Sequence, residues 1–90
     1  MSYIYTAERE KLFTDEGQRL FLGIRDNVQS MLQVSGAVRM GEVLTLPAGY
    51  GAAEVWTMMA CVDRMVELGE LRELPTDGCG QDRVFVAGSV

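Results

Sequence analysis

The 90-residue chain contains no histidine and only two cysteines, Cys61 and Cys79. Histidine is the usual general base and the commonest metal ligand near neutral pH, so its absence removes most catalytic pairs. Two separated cysteines cannot supply the four ligands of a structural zinc site. We predict that both are reduced thiols, because a compact cytosolic domain needs no disulfide. The sequence therefore predicts no metal, no cofactor and no catalytic residue.

Positive charge is also scarce. Eight basic residues stand against thirteen acidic ones, which gives a formal net charge of −5 and a pI of about 4.5. The deficit is concentrated in residues 46–90, where seven acids outnumber the three cations Arg64, Arg72 and Arg83. A phosphate backbone is repelled by such a segment. The composition thus disfavours nucleic acid as a partner.

Long hydrophobic runs are missing as well. The longest uninterrupted one in the long helix predicted below is Met58–Val62, far too short to cross a bilayer. The first eleven residues lack the apolar stretch of a signal peptide. With 48% hydrophobic and 23% charged residues, the composition is that of a folded domain. We expect a cytoplasmic protein with no membrane partner.

The first fourteen residues are predicted to form an N-terminal arm. Tyr3-Ile4-Tyr5 places three bulky apolar side chains within five positions of the start. Thr6 is a candidate N-cap for a short helix that reaches Leu12 and Phe13. Because ordered termini need a surface to pack on, we expect the arm to dock on the domain or on a second copy of it.

A first long helix is predicted over residues 15–33. Thr14 offers a capping hydroxyl and is followed by two acids that favour the positive end of a helix dipole. Apolar residues then recur at spacings of three and four, which is one helical face. Ser35-Gly36 would close the helix. The stripe consists of Leu20, Ile24, Val28, Met31 and Leu32.

Two further helices are predicted. Residues 37–39 are predicted either to be extended or to form the first turn of the next helix. That helix is short, is predicted over 39–46, and is ended by Pro47. A glycine-rich turn over 47–51 leads into the longest apolar helix, over 52–68, and Gly69 suits a left-handed residue after it. The predicted core stripe of this helix is Val55, Met58, Cys61, Val62, Met65 and Leu68.

The chain ends in a predicted β-hairpin. Strands are expected over 70–74 and 82–86, the second carrying Val84, Phe85 and Val86. The intervening residues 76–81 contain Asp77-Gly78 and Gly80, which favour a turn. The fold class is therefore mainly α with a C-terminal β-hairpin.

The segment from Val62 to Leu74 resembles the joint between the third helix and the first wing strand of winged helix-turn-helix domains. Three apolar residues spaced three apart precede Gly69, and the following strand begins with Leu71-Arg72. The resemblance implies a three-helix core plus a wing over residues 15–88, of the small acidic bacterial or phage kind. It also implies DNA binding, with the helix over 52–68 lying in the major groove.

The face of that helix opposite its core stripe departs from a DNA-reading surface. It holds none of the side chains that usually contact base edges, being Ala52, Ala53, Trp56, Met59, Ala60, Asp63 and Glu67. Aromatic residues and methionine are enriched at the centres of protein interfaces. The residues proposed for a protein contact are Trp56, Met59, Ala52, Ala53, Ala60, Tyr3 and Tyr5.

Two functions stay open at this point. The first is a non-enzymatic module that binds a protein or forms a homodimer through this face, unless the arm or the first helix covers Trp56 within the monomer. The alternative is a winged-helix transcriptional regulator that binds DNA. Its contacts would come from Arg39, Thr57, Arg64, Arg72 and Arg83.

Overall fold

The computed structural model describes residues 2–46 and 54–88. Within these ranges the chain is mainly helical, with one small antiparallel sheet of three strands. No helix in this part of the chain is long and apolar enough to cross a membrane. In chain order the elements are α1 (Tyr5–Glu8), a 3₁₀ segment (Arg9–Phe13), α2 (Asp15–Ser35), β1 (Val38–Arg39), α3 (Met40–Leu44), α4 (Val55–Glu67), β2 (Leu71–Glu73), a 3₁₀ segment (Gly80–Asp82) and β3 (Val84–Ala87).

The N-terminal helix does not begin where its sequence indicates. Helix α1 starts after Ile4, whose extended backbone acts as the N-cap without any side-chain hydrogen bond. Thr6 lies inside the helix, so its prediction as the cap is wrong. The Ile4 carbonyl instead accepts the N–H groups of Ala7 and Glu8 at 3.2 and 3.1 Å. The flanking tyrosines are held by α4, and such tertiary contacts override a weak local preference.

Helix α2 begins and ends as its capping residues predict. The Thr14 hydroxyl accepts the N–H of Gly17 at 3.0 Å, and Gly36 takes a left-handed conformation with φ of 78°. The helix continues two residues past the predicted end at 33. Gly17 has a second role, since a Cβ there would lie only 2.7 Å from the Cα of Leu12. The start of α2 and the first 3₁₀ segment therefore touch through their backbones.

The sheet has the order β1-β3-β2, with both pairings antiparallel. Residues 37–39, for which two readings were open, contribute the two-residue strand β1. Val38 pairs with Phe85, and Phe85 pairs on its other side with Glu73. Helix α3 follows β1 at once and is shorter at both ends than the predicted 39–46. The Glu42 carboxylate caps it by accepting the N–H of Arg39 at 3.1 Å.

Gly69 turns the chain from α4 into the hairpin. Its φ of 80° is the left-handed conformation predicted for it. The N–H of Gly69 donates to the carbonyl of Val66 at 3.0 Å, and that of Glu70 donates to Met65 at 2.9 Å. This pair of bonds is a Schellman motif, which satisfies the last carbonyls of the helix. Helix α4 itself begins at Val55, whereas the predicted start at 52 and the turn over 47–51 lie outside the described residues.

The core is built around α4. The 3₁₀ segment Arg9–Phe13 and helices α1, α2 and α3 pack on it, and β2 closes another side. Every element of the chain except the second 3₁₀ segment contributes a buried side chain. The largest fully buried side chains are Phe85, Leu12, Ile24, Met40, Met65, Val28, Val38, Val43, Val62 and Cys61.

Candidate functional site

Helix α4 carries five of the twelve residues that the sequence indicated for binding, namely Trp56, Thr57, Met59, Ala60 and Arg64. Neighbouring elements nearly enclose this helix. Within α4 only the first residue, Val55, and the last, Glu67, are exposed. Trp56 is half-buried and packs against the core cluster. A helix that reads the major groove instead presents a whole face of polar side chains to solvent. The described part of α4 presents no such face.

The prediction that Met59 and Ala60 belong to an exposed contact face is wrong. Met59 is 8% exposed and Ala60 is completely buried. Conversely, Val55 and Leu68, predicted for the core stripe, are 51% and 45% exposed at the two ends of the helix. A single apolar stripe assumes that one side of a helix faces the core, whereas α4 is covered from several directions. Ala52 and Ala53 lie outside the described residues.

The N-terminal arm covers the acidic side of α4. The hydroxyl of Tyr3 donates to Asp63 Oδ2 at 2.6 Å, and that of Tyr5 donates to Glu67 Oε1 at 2.8 Å. Arg9 Nε donates to the same Glu67 oxygen at 2.8 Å. Asp63 and Glu67 are one helical turn apart, so two alternate tyrosines of the arm reach both. The arm therefore docks on its own domain, one of the two surfaces that the sequence left open for it.

Each of these hydrogen bonds stabilises one protonation state. Burial, followed by the hydrogen bond to Asp63, raises the pKa of Tyr3 well above its usual range. The same two causes, with Glu67 as the acceptor, raise the pKa of Tyr5 to about 12. Hydrogen bonds from Arg9 first, then from Arg64 and Tyr5, lower the pKa of Glu67 to about 2. Near pH 7 both phenols are neutral donors and Glu67 is an anion, so none of the three titrates where a general acid or base would.

Arg83 joins α4 to the hairpin from inside the structure. Its Nη2 lies 2.7 Å from Asp63 Oδ1 and 2.8 Å from Glu73 Oε1, and its Nε donates to Glu73 Oε2 at 3.0 Å. The guanidinium also lies 5.2 Å from the centre of the Phe85 ring. The hydrogen bond to Glu73 is the main cause that raises the pKa of Arg83. The Arg83 side chain is only 17% exposed, and both its carboxylate partners belong to this chain. It is therefore not available to contact a phosphate.

Arg64 is engaged in a similar way. It donates to Glu67 Oε1 at 2.6 Å, and its guanidinium lies 5.4 Å from the ring centre of Phe13. Arg9 stacks on the same ring at 4.9 Å. Two cations on one ring and one shared carboxylate form a compact surface cluster, and Phe13 keeps 53% of its surface exposed within it.

The other residues proposed for DNA contact lie on two different parts of the fold. Thr57 is half-buried on α4, whereas Arg39 and Arg72 are exposed on the two outer strands of the sheet. The structure therefore does not bring the five DNA-contact candidates Arg39, Thr57, Arg64, Arg72 and Arg83 onto one open surface.

Sequence reasoning missed the burial of one carboxylate. Glu8 is 6% exposed, and its Oε2 lies 2.7 Å from Lys11 Nζ. At that distance the two side chains form an ion pair that is largely shielded from solvent on the Glu8 side. Lys11 also lies 3.7 Å from Glu54, the N-cap of α4. The only local signal was the spacing of three between Glu8 and Lys11, which by itself indicates a helix-surface pair.

The two thiols are free and differ in exposure. Cys61 is completely buried, and burial raises the pKa of its thiol to about 12. Cys79 is exposed in the turn between β2 and β3. Among residues 2–46 and 54–88, no three cysteine, aspartate or glutamate side chains are grouped so that they could hold a metal ion.

Comparison with known proteins identifies no relative. No protein-family model matches the chain, and neither the curated proteins nor the solved structures give a significant match. Any functional interpretation therefore depends on the chemistry of these residues.

Proposed function

We propose that this chain is a non-enzymatic binding module of the winged-helix type, whose partner is a protein or a second copy of itself. The element order α2, β1, α3, α4, β2 and β3 supports the winged-helix assignment, because it is the order of helices and hairpin on which the sequence resemblance depends. The neutral tyrosines and the paired carboxylates on α4 support a binding role over a catalytic one.

The observation that carries the proposal is the covering of α4. The helix that a winged-helix protein inserts into DNA has Asp63 and Glu67 on its outer side here, and both are held by the N-terminal arm. Because the arm lies over this side of α4, the helix is not free to enter a major groove with it. This arrangement favours a protein partner over direct readout of bases.

The start of α4 is the best-supported contact for that partner. Val55 exposes half of its side chain beside the half-buried Trp56. A partly buried tryptophan next to an exposed aliphatic residue is typical of an interface anchor, because the fold already holds the ring in place. Tyr3 and Tyr5, the other aromatic candidates, donate hydrogen bonds from their hydroxyls to α4 and thereby hold the arm in place.

The test is a pull-down with matched surface variants. Val55→Asp places a charge next to Trp56, and Leu22→Asp places the same charge on α2 at a residue of nearly equal exposure, 50% against 51%. Wild type and Leu22→Asp should retain the same captured protein, or the same self-association in sedimentation velocity. Val55→Asp should lose it without a change in melting temperature, since an unpaired charge at a contact is costly.

Retention by Val55→Asp would contradict a contact at the start of α4. A second variant, Trp56→Asp, distinguishes an interface anchor from a core residue. An equal loss of binding and only a modest loss of stability would fit an anchor. A loss of several kcal/mol would instead fit a buried aromatic residue, for which that is the usual cost.

The alternative function, a DNA-binding regulator, is favoured by one observation. Arg39 and Arg72 are exposed and have no ion pair among the described residues. With a net charge of −5, we expect duplex binding no tighter than about 10 μM at physiological salt, the ordinary non-specific range. Fluorescence anisotropy on random and genomic fragments tests this. Nanomolar affinity for any fragment would overturn the protein-binding proposal.

A further inference from the structure

The sheet has an outer face that the helices do not cover. In an antiparallel sheet, paired residues lie on the same face and the side chains alternate along each strand. The pairs Val38–Phe85 and Leu71–Ala87 define the inner face, and Val38, Phe85 and Leu71 are all buried. The pairs Arg39–Val84 and Arg72–Val86 must then lie on the outer face.

Burial agrees with this assignment. Arg39 on β1 and Arg72 on β2 are exposed, whereas Val84 and Val86 on the central strand β3 are half-buried. We call these four residues the outer sheet face. Two aliphatic side chains lie in its middle, and one arginine flanks them on each side. Adjacent strands are about 4.8 Å apart, so the two outer strands that carry the arginines are separated by roughly 10 Å.

Among the described residues, no acidic side chain pairs with the two arginines of this face. All eight basic and thirteen acidic side chains lie in the described residues. Five of the basic ones pair with acids, and the three that do not are Arg19, Arg39 and Arg72. Glu42 binds the backbone N–H of Arg39 and not its guanidinium. Two of the three basic side chains that have no ion pair among the described residues thus share one small face.

Such a face is complementary to a narrow acidic segment. Arginine is enriched in protein interfaces, whose centres are more apolar than the rest of the surface, and arginine binds carboxylates with paired hydrogen bonds. Asp77 and Asp82 are exposed at the turn end of the same hairpin, and they would repel the phosphates of a DNA duplex laid along it. An extended peptide that crosses the strands avoids these two carboxylates.

We propose that the outer sheet face binds an extended acidic segment of a partner protein. Two carboxylates of the segment contact Arg39 and Arg72, and an aliphatic side chain between them packs on Val84 and Val86. This inference rests on the proposed protein-binding function and adds a second surface, apart from the contact at the start of α4.

The experiment is a two-dimensional amide NMR titration of the full chain at low salt. The probe is an acetylated and amidated peptide of alternating glutamate and valine, and the control peptide alternates lysine and valine. The acidic peptide should shift the amides of Arg39, Arg72, Val84 and Val86, and the basic peptide should not. Arg72→Glu should weaken binding by about fivefold or more, the scale of one exposed ion pair reversed in sign.

Arg19→Glu is the matched control, because Arg19 is also exposed and unpaired but lies on α2. It changes the net charge as much as Arg72→Glu and should leave the peptide affinity within about twofold of wild type. Thermal melts of both variants establish that they fold. An equal loss in both variants would mean that net charge alone drives binding, and would overturn the site.

Two other outcomes would also overturn it: shifts that map away from the outer sheet face, or a 20-base-pair duplex that shifts the same amides at lower concentration than the acidic peptide. The duplex result would count against the proposed function as well. A failed peptide titration combined with partner capture that Val55→Asp abolishes would remove only this inference.

Discussion

Replacing Leu12 by alanine tests whether the N-terminal segment belongs to the core around α4. Leu12 is 1% exposed and lies in the first 3₁₀ segment, Arg9–Phe13. Truncating a buried leucine removes its transfer free energy and leaves a cavity, at a cost of about 2–5 kcal/mol. We expect the upper half of that range, because the backbone of Leu12 lies directly against Gly17 of α2, which limits how far the site can collapse.

The loss expected for Leu12→Ala is a large share of the free energy of unfolding of the whole domain. A 90-residue domain has a free energy of unfolding of roughly 5–13 kcal/mol, at 0.05–0.15 kcal/mol per residue. A loss of about 4 kcal/mol would lower the melting temperature by roughly 16–32 °C, since 1 kcal/mol corresponds to 4–8 °C at this size. Trp56 is the single tryptophan and is half-buried, so its fluorescence in a urea titration reports the transition.

The neighbouring residue supplies the control. Phe13 follows Leu12 directly and is 53% exposed, with Arg9 and Arg64 stacked on its ring. Phe13→Ala should cost no more than about 1 kcal/mol, the worth of a cation–π contact at an exposed site. If Leu12→Ala costs no more than Phe13→Ala, the segment is not packed on α4 and the covering of that helix is refuted.

Gly17→Ala should lower the melting temperature, because its Cβ would overlap the backbone of the first 3₁₀ segment; an unchanged melt would contradict that contact. Cys79 should react at once with a thiol reagent and Cys61 only after unfolding, since the thiolate of Cys61 is suppressed by burial; equal labelling of the native protein would mean that α4 is misplaced. The pKa of Glu67 is about 2 in the fold and near 4.3 when unfolded. Its stabilising contribution is therefore complete above that unfolded value and is lost as the pH falls towards 2. Glu67→Gln should flatten the acid limb of a stability–pH curve, and an identical limb would disprove the effect.

Element boundaries could be predicted where a local signal specifies them. The Thr14 hydroxyl, Gly36 and Gly69 each act within one turn of backbone, and all three do what their residue types favour. The hairpin was predictable for a similar reason, because β-branched and aromatic residues flank a glycine-rich turn. Its strands are a little shorter than expected and shifted at β3 by one to two residues.

The candidate site was less accessible to sequence reasoning. The pattern of α4 indicated one buried stripe, and Met59 and Ala60 were accordingly assigned to the opposite, open side. They are buried because the arm, α2, α3 and the sheet all pack on the same helix. Periodicity reports that a helix has an apolar face, but not how many neighbours will cover the remainder.

The sequence by itself determined the inventory: an acidic chain without histidine, two distant cysteines, four helices' worth of apolar patterning and a hairpin. The tertiary structure alone decided which charges are available. Arg72 and Arg83 belong to the same hairpin, yet Arg83 points inward to Asp63 and Glu73 whereas Arg72 lies on the outer sheet face. The hydroxyl of Tyr3 likewise donates to Asp63, which lies sixty positions further along the sequence. Such pairings depend on strand register and on how distant segments pack, and a one-residue change of register would exchange the two faces.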